Sequence, residues 1–118
     1  AVRAALLAGG RHVDGVRIHD GGTVVVIDGP RFSTRAESVW FSTMGWDVVN
    51  MTNHPESVLA AEAGIPYGTV ALVTDRDAGQ HDGSDDDAPV TMEAVMAVVA
   101  QNVDNVKRLL AATVPLLP

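Results

Sequence analysis

Cysteine is absent from the chain's 118 residues, which excludes a disulfide framework and any cysteine-ligated zinc site. The four histidines, His12, His19, His54 and His81, show no zinc-ligand spacing with one another or with the acidic residues. Basic residues are scarce: 8 Lys and Arg stand against 15 Asp and Glu, for a net charge of −7. A surface of that sign repels phosphate backbones and anionic headgroups, so neither nucleic acid nor a membrane is expected as a partner. A small anion could still be held by local backbone N–H groups or by one arginine. No apolar run approaches the roughly 20 residues of a membrane span. A Gly-x-Ser-x-Gly elbow, a Walker loop and a dinucleotide fingerprint are all missing. These absences fit a cytoplasmic location.

Hydrophobic residues make up 47% of the chain, more than a disordered tail carries, and the length suffices for one modest core. The opening "AVRAALLAGG" (1–10) has helical patterning without a start signal. Gly9 or Gly10 is expected to close that helix in a left-handed cap. Such a beginning leads us to expect residues 1–118 to be the C-terminal portion of a longer domain, with no leader of its own. "GTVVVIDG" (22–29) is a continuous apolar run, the pattern of a strand buried on both faces. A helix follows from Thr34, which forms a capping box with Glu37, and Gly45 stops it. "WDVVNMT" (46–52) is a second strand. "PESVLAAEAG" (55–64) is a short helix with Pro55 at its first position, Glu56 in its first turn and Gly64 past its end. "YGTVALVT" (67–74) is a third strand. The loop over 75–89 holds six aspartates and is expected to be exposed and mobile. From about 91 to 114 runs a long amphipathic helix. Met92, Val95, Met96, Val99, Val103, Val106 and Leu110 recur at three- and four-residue steps, with Gln101, Asn102, Asp104, Asn105, Lys107 and Arg108 mostly opposite. Strands and helices alternate through short connections, which defines an α/β layered domain.

Four stretches could carry chemistry. In "TVALVTDRDAGQHDG" (69–83), Asp75 and Asp77 end an apolar strand. Two residues apart in an extended segment, they share one face, at a strand's C-terminal end, where open α/β sheets bind ligands. They are either two solvated acids or a pair aimed at one ligand, in which repulsion would raise the proton affinity of one carboxyl and make it a general acid. In "GPRFSTRAES" (29–38) a helix start could offer N–H groups to an anion, with Arg31 and Arg35 pairing with a phosphate or with Glu37; an ordinary capped start with surface arginines fits equally well. In "VVNMTNHPES" (48–57), Thr52 and its N–H suit a phosphate oxygen, and Met51 offers a soft apolar face or simple core packing. "HDGSDDD" (81–87) lacks any frame with both the sixth-position glycine and the closing glutamate of an EF-hand, so no metal site is assigned.

Three of these stretches, "GPRFSTRAES", "DVVNMTNHPESVLAAEAGIPYGTVALVTD" and the D-x-D ending, occur in an order and at separations that resemble the trimeric purine nucleoside phosphorylase family. They are most similar to its methylthioadenosine phosphorylase branch. The resemblance spans residues 9–115 and implies a layered α/β/α domain with a mixed central β-sheet. It implies a homotrimer that needs no metal or organic cofactor and takes phosphate as co-substrate. It also implies site roles. Phe32 packs on the purine and Ser33 lies at the base edge, where relatives that cleave oxopurines carry a glutamate. Met51 lies under the ribose and Thr52 binds phosphate. Asp75 and Asp77 face the purine N7 and 6-amino group. Met92, Val95 and Met96 line the pocket for the 5′-methylthio group. Arg76, between the two acids, departs from the branch and is expected to point away from them. The chain is less than half the length expected of the family. The serine or threonine, arginine and histidine that complete the phosphate site would lie in a preceding portion, and the chain alone is expected to be inactive.

The resemblance thus implies phosphorolysis of 5′-methylthioadenosine to adenine and 5-methylthioribose 1-phosphate, a reaction of purine and methionine salvage. The alternatives are a broader or 6-oxo purine nucleoside phosphorylase, and a non-catalytic nucleoside-binding α/β domain. In the first reading a carboxyl protonates or hydrogen-bonds N7 of the departing purine anion. The second acid accepts from the exocyclic amine, which disfavours a 6-oxo group.

Overall fold

Valine-rich runs, glycine stops and hydroxyl caps set the elements. The computed structural model describes residues 1–78 and 91–118. The expected exposed acidic loop and the "HDGSDDD" stretch therefore lie largely or wholly outside the described residues. In chain order the elements are α1 (Val2–Gly10), β1 (Val24–Val26), α2 (Arg35–Thr43), β2 (Val48–Asn50), α3 (Asn53–Glu62) and α4 (Met92–Thr113), the last followed by a 3-10 turn over Val114–Leu116.

The strands β1 and β2 pair in parallel, with Val24, Val25 and Val26 opposite Val48, Val49 and Asn50. The crossover between them is α2, as parallel neighbours require. Both strands are shorter than their apolar runs. Val24 and Val25 are half-buried and Val26 is exposed, so β1 is not covered on both faces as its composition suggested. The run 67–74 forms no strand. A strand needs a partner for its N–H and C=O groups, and among the described residues β1 and β2 pair only with each other. An α/β arrangement is therefore present, whereas the described residues form two parallel strands and not a mixed layered sheet.

The helix ends follow the sequence closely. Thr34 caps α2, its side chain accepting from the Glu37 N–H while the Glu37 carboxylate accepts from the Thr34 N–H. Thr91 caps α4 by accepting from the Ala94 N–H. Gly45 (φ +72°) and Gly64 (φ +67°) lie in the left-handed region just past α2 and α3. The N–H groups of Gly45 and Trp46 return to Ser42 and Phe41, and those of Gly64 and Ile65 return to Ala61 and Ala60. These are paired Schellman closures. The α3 helix breaks at His54 (φ −108°, ψ 135°), so its continuous part begins at Pro55.

Two further expectations are corrected. Gly9 and Gly10 do not cap α1 in a left-handed conformation; both are helical, and the C-cap is Arg11 at φ −66°. Their smallness serves packing instead. A Cβ on Gly9 would lie 2.5 Å from Thr113 Oγ1, and one on Gly10 would lie 2.3 Å from Ile18 Cδ1. They let α1 settle on α4, near buried Ala5 and Leu109. The packed face of α4 is also rotated from the expected one. Leu109 and Thr113 are buried, and Val95, Val98, Val99, Asn102, Asn105 and Val106 are half-buried, while Met92, Met96, Val103 and Leu110 are exposed. Two adjacent apolar ridges run along this helix, and composition alone does not say which one faces inward.

Replacing Gly9 with alanine is expected to destabilise the fold by about 1–3 kcal/mol through overpacking. Adding Thr113→Ala should recover only part of the loss, because Thr113 Cα and N lie 3.0 Å from the new Cβ. Denaturant unfolding of the two variants beside wild type checks this. Wild-type stability in Gly9→Ala would contradict the close approach.

Candidate functional site

A cleft of about 920 Å³ runs along β2 and past the C-terminal ends of β1 and β2, and so includes the position where open α/β sheets take ligands. Its walls include Phe32 and Ser33 ahead of α2, Ser38 and Phe41 within α2, residues 46–53 along and past β2, residues 69–77, and Val95 of α4. Stretches far apart in sequence are thus brought to one concavity. Phe32, Ser33, Met51, Thr52, Asp75, Asp77 and Val95 all border it. Met92 and Met96 do not; they are 59% and 56% exposed. At about 100° per residue Met96 lies well round the helix from Val95, whereas Met92 shares the Val95 face one turn earlier, at the exposed start of α4.

The centre of the polar wall is Asp77. Ser33 Oγ donates to Asp77 Oδ1 in a short hydrogen bond, and Ser38 Oγ lies 2.5 Å from Asp77 Oδ2. Ser38 Oγ is also 3.2 Å from Ser33 Oγ and 3.1 Å from the Thr34 carbonyl. A hydroxyl has one proton, and the nearest acceptor is the carboxylate. Each serine therefore gives its proton to a different oxygen of Asp77. Ser38 is 1% exposed and Ser33 8%, so this clasp sits on the buried side of the carboxylate. Ser38 belongs to "GPRFSTRAES", but nothing in its spacing marked it. It lies one turn into α2, where a serine could as easily bond its own helix.

Asp75 is placed differently. It is exposed, and the Thr74 hydroxyl donates to its Oδ1. The chain bends at Asp75 instead of continuing extended. Strict side-chain alternation ends there, and Arg76, expected to point away, borders the cleft as well.

Two asparagines that the sequence did not single out organise the next wall. Asn50 Oδ1 accepts from the N–H groups of Thr52 (3.2 Å) and Asn53 (3.3 Å), while Asn50 Nδ2 donates to Asn53 Oδ1 (3.0 Å). Asn53 Nδ2 in turn donates to Thr69 Oγ1 (2.9 Å), tying the start of α3 to the segment 69–77. The Thr52 N–H, a candidate phosphate donor, is thus engaged by Asn50. The Thr52 side chain makes no capping bond, so its hydroxyl is the donor it can offer. Met51 has its sulfur against Gly29, where a Cβ would lie 3.0 Å from Sδ. Phe32 is 46% exposed beside the cleft.

Of the two arginines offered for a phosphate, Arg31 is committed elsewhere. Its guanidinium grips Glu37 with two hydrogen bonds of 2.8 Å, the planar fork that suits a carboxylate. Hydrogen bonding to Arg31, and then to the Thr34 N–H and hydroxyl, holds the Glu37 carboxyl at about 2, against an ordinary 4.5. Among the described residues no group of three or more His, Cys, Asp or Glu is disposed to hold a metal ion. No helix there is long and apolar enough to cross a membrane.

With this geometry in view, comparison with known proteins is specific. The family model described as the phosphorylase superfamily matches residues 1–115, and the chain belongs to that superfamily. It is 50% identical over 99 residues to a purine nucleoside phosphorylase of Streptomyces coelicolor, covering 84% of this chain and 34% of the relative. It is 50% identical over 95 residues to an S-methyl-5′-thioadenosine phosphorylase of Mycobacterium tuberculosis, covering 80% and 34%. Among solved structures, a variant of the adenosine/methylthioadenosine phosphorylase of Schistosoma mansoni in complex with adenine superposes with a TM-score of 0.86 at 33% identity, covering 98% of this chain and 44% of that one. A methylthioadenosine phosphorylase from an antarctic soil metagenomic library gives 0.82 at 37% identity, covering 98% and 39%. The fold is thus that of the nucleoside phosphorylases. The chain spans about a third of the length of these curated relatives.

Glu37 supplies a pH test of the wall it supports. Its folded pKa is depressed, so its contribution is fully present above pH 4.5 and is lost as pH falls through about 2. Trp40 and Trp46 pack with Phe41 of α2 at ring separations of 5.7–6.0 Å. Tryptophan fluorescence should therefore change over that acid range in wild type and change less in Glu37→Gln. Superimposable acid profiles would show that the Arg31–Glu37–Thr34 cluster does not hold the start of α2.

Proposed function

We propose that the protein bearing this chain cleaves 5′-methylthioadenosine with inorganic phosphate, giving adenine and 5-methylthioribose 1-phosphate. The observation that carries this reading is the gathering of Phe32, Ser33, Met51, Thr52, Asp75 and Asp77, from three separate stretches, around one cleft at the ends of the parallel strands. In the reaction the bond from C1′ to the purine N9 breaks and a bond from C1′ to a phosphate oxygen forms. The electron pair leaves with the purine, and a proton or hydrogen bond at N7 makes that departure easier. Asp75, at the open side of the cleft, is the group for N7. Asp77 accepts from the 6-amino group. Phe32 packs on the base and Ser33 lies at its edge. Met51 underlies the sugar, and the Thr52 hydroxyl meets phosphate. Val95 supplies apolar surface toward the 5′-thioether; Met92 and Met96, off the cleft in this chain, are the weaker members of that trio. The family resemblance adds a homotrimeric, cytoplasmic enzyme without metal or organic cofactor.

The Streptomyces coelicolor relative, at 50% identity, supports a second reading, a purine nucleoside phosphorylase of wider substrate range. A panel of methylthioadenosine, methylthioinosine, adenosine and inosine, run with and without phosphate and with all of the protein's sequence present, separates the two. Methylthioadenosine should be the best substrate and cleavage should require phosphate. Asp75→Asn and Asp77→Asn should each lower kcat/KM for it by about 10²-fold or more. Wild-type turnover in both variants would refute the roles given to these acids, and preference for inosine would favour the second reading.

A further inference from the structure

We infer that Ser38 is a positioning residue for base selection: with Ser33 it fixes the Asp77 carboxylate so that its outward lone pairs face the purine edge. The inference rests on the reading of Asp77 as the group that meets the 6-amino position. Ser38 is the most buried of the described side chains, at 1% exposure. Alanine would suit that helical position better, and burying a hydroxyl is unfavourable unless it is hydrogen-bonded. The helix itself offers an acceptor, the Thr34 carbonyl at 3.1 Å, yet the closer contact is Asp77 Oδ2 at 2.5 Å. The serine therefore serves a bond that crosses from α2 to the segment 69–77.

The consequence is orientational. The terminal torsion of an aspartate is broad and roughly two-fold, so one hydroxyl would leave the carboxylate plane poorly defined. Two hydroxyls, one on each oxygen, fix that plane. Each carboxylate oxygen retains acceptor capacity, now on the side away from the buried serines. A purine presenting an amino group meets a fixed acceptor; one presenting a carbonyl oxygen meets oxygen against oxygen. Without Ser38 the carboxylate loses its fixed plane.

A double-mutant cycle tests this in the protein with all of its sequence present: wild type, Ser38→Ala, Asp77→Ala and the double variant, assayed on methylthioadenosine and methylthioinosine with phosphate. Ser38→Ala should lower kcat/KM for methylthioadenosine about tenfold, the scale of one hydrogen bond to a charged group. The loss on methylthioinosine should be about twofold or less, narrowing the preference. In the Asp77→Ala background the Ser38 change should matter by about twofold at most, because its partner is gone. Ser38→Cys, of similar shape with a weak donor, should give a smaller loss of the same kind and carries the test if the alanine variant fails to fold. Equal losses on both nucleosides, or the same loss in both Asp77 backgrounds, would overturn the inference and leave Ser38 a packing residue. If wild type cleaves neither nucleoside, the phosphorolysis reading falls, and the same cycle is read from the dissociation constant of adenine with the same tenfold expectation.

Discussion

The hydrogen bonds from Ser33 and Ser38 to Asp77 tie the end of the segment carrying Asp77 to the start of α2. Residues 67–74 have the apolar composition of a strand but no ladder partner among the described residues. Polar ties anchor the segment at both ends, beginning with the Tyr67 hydroxyl, which donates to Glu56 of α3. Asn53 donates to Thr69 near its start, and the two serines meet Asp77 near its end. Asp75 lies between those ties, so its position depends on both. A half-buried carboxylate approached by two hydroxyls is also a directional constraint, since hydrogen bonds specify geometry where apolar packing alone specifies proximity.

The same stretch that supplies the serines builds its own support. The Thr34–Glu37 capping box starts α2, and Arg31 closes over Glu37 from the preceding loop. This rim is exposed and its charges are screened by salt. Its role is to hold the turn that turns Ser33 and Ser38 toward Asp77. The charged rim and the buried hydroxyls thus divide the work: one fixes backbone, the other fixes the Asp77 carboxylate in the wall of the cleft. Among the described residues no buried side-chain nitrogen or oxygen lacks a partner.

Much of this was legible in the sequence where the signal is local. The capping box, the Gly45 and Gly64 stops and the start of α3's continuous part at Pro55 each depend on residues within a few positions of one another. So was the family, because three motifs recur in order. What sequence did not disclose depends on distant partners. Gly9 and Gly10 resemble a helix stop until Thr113 and Ile18 are seen against them. The inward ridge of α4 is set by α1, not by the helix's own composition. Ser38, Asn50 and Asn53 look like ordinary polar residues because their bonds span elements. The apolar run at 67–74 fits a strand, but strand formation requires a neighbour that propensity cannot supply.

In the proposed reaction Asp75 and Asp77 meet one purine edge in the cleft between residues 29–38 and residues 69–77. A crystal structure of the protein, with all of its sequence present, grown with adenine tests it most directly. The account predicts adenine in this cleft with Phe32 against its ring and with N7 and the 6-amino group within about 3.2 Å of the Asp75 and Asp77 carboxylates. Adenine bound elsewhere, or bound here with that edge turned from both acids, would contradict it.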